Sequence, residues 1–203
     1  MSTTTVLPPT SKDLTFNLWM AVKDFDELQY KKYIIDLNKE GDVDWIKGFG
    51  FVKFADQILT PSKKFGMSLD YHNYVKTGYW TGRTSSKNML YCITIDGKIT
   101  KIGMTTVGLS KRWSSYNNGT EKLRFKGSGS TTNYNVMQPL RTSIKEGRNV
   151  EWYCWAPPVH KYVNSAFGVT EEVVAKDPEW YENVLITEYE KKYGKKPFLS
   201  QNK

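Results

Sequence analysis

Two short runs with alternating or continuous apolar character, Leu90–Ile95 and Lys98–Gly103, flank the dipeptide Asp96-Gly97. β-Branched residues on both sides of Asp-Gly predict two antiparallel strands and a tight turn. Loop length decides which side chains face each other. A two-residue loop pairs Cys92 with Lys101 and leaves Tyr91 on the other face. A three-residue loop, Ile95-Asp96-Gly97 with Gly97 in a left-handed bulge position, sets Tyr91 opposite Lys101; the second arrangement is favoured here. Downstream, Leu109, Trp113 and Tyr116 recur at helical spacing and predict a helix with a core-facing stripe. Val136–Lys145 has a helical pattern, with Pro139 read as part of its first turn and Gly147 beyond its end. Asn149–Trp155 reads as a third strand. Trp180–Tyr193 reads as a final helix, closed by Gly194 with Pro197 beyond.

Arg112 falls inside the apolar arc of the first helix, between Trp113 and Leu109 at roughly 100° per residue. A guanidinium in such an arc is costly without an anion, which points to a cleft that receives a carboxylate or phosphate. In the last helix Glu182 shares the arc of Leu185, Ile186, Tyr189 and Tyr193, whereas Glu190 lies on the polar side. Glu182 is the inward carboxylate. Each of these residues also has a plain structural use: Tyr91 as a core aromatic, Lys101 as a solvated edge-strand residue, and Arg112 with Glu182 as an ion pair.

The order Met89-Leu90-Tyr91 in the first strand, Lys101-Ile102-Gly103 ending the second, Arg112 one turn into a helix and Glu182 on a later helix resembles the GIY-YIG nucleases. Lysine stands at 101 where most members of that family have tyrosine, as in some of its restriction enzymes. The resemblance spans about residues 88–203 and implies an α+β fold: a small antiparallel three-stranded sheet flanked by helices, in the order β-β-α-α-β-α. It implies Tyr91, Lys101, Arg112 and Glu182 as catalytic residues, Glu182 as ligand of a Mg²⁺ ion, or Mn²⁺ in its place, and Asn202 in a Pro197-containing tail as a DNA contact. Met104 stands where some members carry a histidine, so no histidine base is carried over. The implied activity is Mg²⁺-dependent hydrolysis of double-stranded DNA by a homodimeric type II restriction enzyme, leaving 5′-phosphate and 3′-hydroxyl ends. A phage or viral DNA-degrading or homing-type endonuclease, and a non-catalytic nucleic-acid-binding protein, are the alternatives.

Charge agrees with a polyanionic partner: 203 residues carry a net +8, with a pI near 9.3. Lys122, Arg124 and Lys126 alternate with Leu123 and Phe125 before the stretch Gly127–Asn133, a pattern suited to tracking phosphates with a flexible segment that orders on binding. Lys111, beside Arg112, adds a further phosphate contact. No apolar run approaches the ~20 residues of a spanning helix, and the opening MSTTTVLPPTSK lacks the charged and apolar regions of a signal peptide. Cys92 and Cys154 lack metal spacing and read as reduced thiols of a cytoplasmic compartment, bacterial or virus-infected. With only His72 and His160, a common zinc site or a Ser-His-Asp triad is poorly supplied.

Residues 1–12 read as a flexible arm. Residues 13–87, with a helical pattern over Leu14–Asn38 and a dense set of aromatics from Trp45 to Trp80, read as a mixed recognition or dimerisation extension. Residues 88–203 read as the catalytic core, interrupted near 156–178 by an insertion of no evident purpose.

Overall fold

The computed structural model describes residues 37–60, 67–72, 87–120, 123, 130–158, 160–175 and 177–200. Among them, α1 (Val43–Lys47) precedes strands β1 (Val52–Leu59), β2 (Met67–Tyr71), β3 (Met89–Ile95) and β4 (Lys98–Thr105). Helices α2 (Leu109–Asn117) and α3 (Thr131–Lys145) follow, then β5 (Val150–Trp155), the β6–β7 pair (His160–Ala166, Val169–Ala175) and α4 (Pro178–Tyr193). The helix expected over Leu14–Asn38 lies outside the described residues save at its end, where Leu37–Lys39 is a 3₁₀ turn.

The expectation of a small three-stranded sheet is corrected. Five antiparallel strands form one sheet in the order β2-β1-β5-β3-β4, with a separate two-stranded ribbon, β6–β7. The mixed α and β character stands. The two additional strands come from the segment ahead of the hairpin. Phe54 and Ala55 of β1 are fully buried, and Ala55 and Gln57 pair with Trp152 and Val150 of β5, so β5 is an interior strand rather than an edge.

Helices cover both faces. On one, Met89, Tyr91, Ile93 and Ile95 of β3 pack with Leu109 and Tyr116 of α2 and with Val136, Met137 and Leu140 of α3. On the other, Leu90 and Cys92 pack with Ile46 of α1 and with Leu185, Ile186 and Tyr189 of α4. All seven residues of β3 are therefore buried, which is why its sequence is a continuous apolar run instead of an alternation. Trp152 is the hub of the first core. It stacks on Tyr91 at 5.7 Å, meets Phe54 edge-on at 6.3 Å, and its indole N–H donates to Gln57 Oε1 at 2.9 Å. A buried ring of this size stabilises the fold by about 4–6 kcal/mol of area burial.

The hairpin differs from the expectation. Ile95 pairs with Lys98 across a two-residue loop in which Asp96 (φ 50°) and Gly97 (φ 73°) are both left-handed, the requirement of a type I′ turn. A register shift beyond Ile93 leaves Thr100 as an extra residue, so Ile93 faces Lys101 and Tyr91 faces Gly103. Tyr91 is not directly opposite Lys101. The displaced bulge nevertheless returns Lys101 and Gly103 to the face that carries Tyr91, because side chains alternate from Ile102, which points to the other core.

Helix α3 starts earlier than expected. Ser130 caps it, its hydroxyl accepting from Asn133 N–H at 3.4 Å, and Pro139 sits inside the helix, not in its first turn. Residues 130–133 of the stretch read as flexible are thus its cap and first turn. Helix α4 is delimited by local chemistry at both ends: Asp177 accepts from Trp180 N–H at 3.0 Å, Pro178 opens the first turn, and Gly194 closes it at φ 73°. Beyond α4, the hydroxyl of Ser200 accepts from Ile102 N–H at 3.1 Å and donates to Ile102 C=O at 3.0 Å. That contact occupies the outer edge of β4, which no described strand pairs with.

Candidate active site

Strand β3 delivers Tyr91 to the sheet face beneath α2. Its ring crosses directly over Gly103: a Cβ at that position would overlap the Tyr91 ring and hydroxyl. Glycine is required there for close approach. Across the gap, α2 presents Arg112 and Tyr116, four residues apart and so on one side of the helix. The Arg112 guanidinium lies 4.6 Å from the centre of the Tyr116 ring, and its Nε–H donates to the Tyr91 hydroxyl at 3.2 Å. The Tyr91 and Tyr116 hydroxyls share a short hydrogen bond.

Tyr116 was read from the sequence only as a core-facing ring. It is fully buried, and the spacing Arg112-x-x-x-Tyr116 was the available signal that its hydroxyl also meets the site. Lys101 lies on the same sheet face as Tyr91 and is only 5% exposed, while Glu182 of α4 is 2% exposed. Glu190, by contrast, faces solvent. Helices α2 and α4 belong to opposite cores, yet the Glu182 carboxylate acts electrostatically on the Tyr116 phenol. The four residues singled out in sequence are thus placed on β3, β4, α2 and α4, with Tyr91 and Arg112 in direct contact.

Burial is the main influence on the phenols. It pushes Tyr91 well above the ordinary tyrosine range; Tyr116 adds to the rise and Arg112 opposes it. Tyr116 is also raised, by burial against the pull of Arg112, with Glu182 pushing further up. For Arg112, partial burial acts against the charge, but the two phenols outweigh it and the guanidinium stays charged. At neutral pH the cluster is therefore a cation held between two protonated phenols, with Lys101 buried on the same sheet face as Tyr91 and Glu182 near enough to act on Tyr116. Such a set can grip an anion and position a water, but its tyrosines are not ready-made bases.

The chain resembles the restriction endonuclease HPY188I solved in complex with product DNA. Identity is 28%, the match covers 80% of this chain and 87% of that one, and the TM-score is 0.53. A mutant of bacteriophage T4 EndoII is matched at 18% identity over 73% of this chain and 95% of that chain, with a TM-score of 0.48, a likeness too weak to carry a conclusion. No family model and no curated protein matches the chain.

The resemblance to GIY-YIG nucleases read from the two short signatures is accordingly withdrawn, since nothing at the level of sequence supports that family. The letters that suggested it have a local cause. A buried tyrosine crossing a paired strand requires a glycine opposite, here Gly103, and the apolar residues around both belong to a strand pair covered on each face.

Among the described residues no group of three or more His, Cys, Asp and Glu side chains could hold a metal ion. A closed protein cage, as zinc or calcium commonly uses, does not fit this site. A single buried carboxylate fits Mg²⁺ or Mn²⁺, hard cations that keep several waters and share their coordination with a substrate phosphate. Lys111 is exposed on α2 beside the cluster. Lys122, Arg124, Lys126 and Asn202 lie outside the described residues. No described helix is long and apolar enough to cross a membrane.

Proposed function

We propose that this chain is an endodeoxyribonuclease that hydrolyses phosphodiester bonds of double-stranded DNA, acting as a sequence-specific restriction enzyme. The observation that carries the reading is the Tyr91–Arg112–Tyr116 cluster, with Lys101 and Glu182 buried around it, in a fold shared with a restriction endonuclease bound to its product DNA. Arg112, charged and half-buried, binds a non-bridging oxygen of the scissile phosphate and stabilises the charge that grows there. The Tyr91 hydroxyl, already accepting from Arg112, positions the attacking water; because burial keeps that phenol protonated, the water's proton passes to Lys101, which serves as base only in its neutral amine form. The water oxygen bonds to phosphorus, the P–O3′ bond breaks, and a 5′-phosphate and 3′-hydroxyl result. Glu182 would hold a divalent cation, Mg²⁺ or Mn²⁺, which when bound supplies charge neutralisation to the phosphate and the departing oxygen.

Lys111, Lys122, Arg124, Lys126 and Asn202 would contact the DNA backbone, giving binding that weakens with salt. Residues 13–87 would supply sequence recognition or the contact of a homodimer, in which two sites cut two strands.

Plasmid digestion in Mg²⁺ and in EDTA, with Glu182→Gln beside the native chain, tests this. The expected result is discrete Mg²⁺-dependent fragments, and a loss of at least about hundredfold in cleavage by Glu182→Gln with DNA binding retained. Equal cleavage in EDTA or by the variant would remove Glu182 from the chemistry. Binding without cleavage on DNA from several sources would make the chain a non-catalytic binder.

A further inference from the structure

The β6–β7 ribbon stands apart from both cores. Every residue of β6 is exposed, and Tyr162, Val163 and Val169 expose apolar surface along it. At its tip, Phe167 and Gly168 form the turn with φ of 55° and 78°. Phe167 is completely exposed. A bulky side chain in the left-handed region is disfavoured, and the position is one where asparagine or glycine serves better. An aromatic ring that is both strained and solvated contributes nothing to the fold, so its use is sought outside it.

The ribbon leads directly into α4. At its foot, His160 Nε2 is 2.9 Å from the Tyr181 hydroxyl and the two rings stack at 6.1 Å; Tyr181 in turn meets Trp155 edge-on at 5.0 Å and precedes Glu182 in α4. The arm is thus anchored one residue from the carboxylate of the candidate site. Seven residues per strand carry its tip about 20 Å outward, roughly half a turn of duplex. The tip itself, Ser165–Thr170, is uncharged; below it Lys161 pairs with Glu172 at 2.9 Å and Glu171 leaves the ribbon with one carboxylate in excess, so the arm would enter a groove by its uncharged apolar tip and not by charge. A two-stranded ribbon fits a DNA groove, and apolar wedges that open base steps are an established means of deforming the duplex.

We infer that the β6–β7 ribbon is a DNA-groove arm whose tip residue, Phe167, wedges into a base step beside the cleavage site. The inference rests on the nuclease reading above. Its test uses the full-length Glu182→Gln chain, which binds without cutting. A nicked plasmid is ligated in its presence and the linking number of the closed product is read, with affinity measured on the same DNA. Glu182→Gln shifts the linking number, and adding Phe167→Ala abolishes the shift and weakens binding roughly tenfold, the size of one base–aromatic stack. Phe167→Asn, which suits the turn, loses the shift in the same way while melting ~2–4 °C higher, separating wedge from fold. An unchanged shift in both Phe167 variants overturns the arm and leaves the nuclease reading standing. A changed oligomeric state in sedimentation, with DNA deformation intact, overturns it in favour of a second copy as occupant. No DNA binding by Glu182→Gln overturns both readings.

Discussion

Replacing Gly103 by alanine probes the packing that holds the site together. The new Cβ would enter the space of the Tyr91 ring and hydroxyl, and the ring has nowhere to go: it is fully buried, stacked on Trp152 and hydrogen-bonded to Tyr116 and Arg112. Overpacking of this kind costs ~1–3 kcal/mol, offset in part by the ~0.4–1 kcal/mol that a Gly→Ala change recovers from the unfolded chain. A net loss of about 1–2 kcal/mol, or a melting temperature about 2–8 °C lower for a chain of this size, is expected in urea and thermal unfolding with an unchanged m value. Displacing the Tyr91 hydroxyl from its 3.2 Å contact with Arg112 lowers DNA cleavage by about 10–100-fold, measured where the variant is still folded. The decisive comparison repeats the substitution in a Tyr91→Leu background, which lacks the atoms that would collide. There Gly103→Ala should cost nothing. Equal destabilisation in both backgrounds would refute the crossing of Tyr91 over Gly103 as the reason for the glycine.

Two further outcomes follow from the same geometry. Tyr91, Tyr116, Tyr153 and Tyr189 are all raised above the ordinary tyrosine range by burial, so the unfolded chain releases these protons at about pH 10 while the native chain keeps them. The buried Cys92 thiol, raised in the same way, should start a fall in stability near about pH 8.5, and the tyrosines should steepen it above about pH 10, by up to ~1.4 kcal/mol per pH unit for each group, as read by urea unfolding between pH 8 and 11.5; Tyr91→Phe should make the fall above pH 10 shallower, and an identical slope would show that the phenol is not held protonated. Ser200→Ala removes both contacts to the Ile102 backbone and should cost ~1–3 kcal/mol, with amide exchange at Ile102 faster than at its neighbours, whereas unchanged exchange there would mean the edge of β4 is protected by something else.

The hairpin, the third strand and the last helix were legible in the chain itself because their determinants are local: Asp96-Gly97 for the turn, continuous apolar runs for strands covered on both faces, and Gly194 for the end of α4, whose start at Pro178, capped by Asp177, lies two residues ahead of the expected Trp180. The inward setting of Glu182 and the outward one of Glu190 were readable for the same reason, a helical period projected on one wheel. The start of α3 was not, because Pro139 imitates a first-turn signal and Ser130 becomes a cap only when a helix follows it.

What the tertiary structure alone decided was everything that depends on non-local pairing. A one-residue shift in strand register exchanges the faces of all later side chains, and neither the Thr100 bulge nor the resulting Tyr91–Gly103 pair is marked by local composition. The widening of the sheet from three strands to five required β1 to find β5, some ninety residues away. Tyr116, an ordinary core ring by its spacing, became part of the site only because β3 brought the Tyr91 hydroxyl to its own. Local physics set the elements of this protein; the register between distant strands set which of its buried polar groups meet.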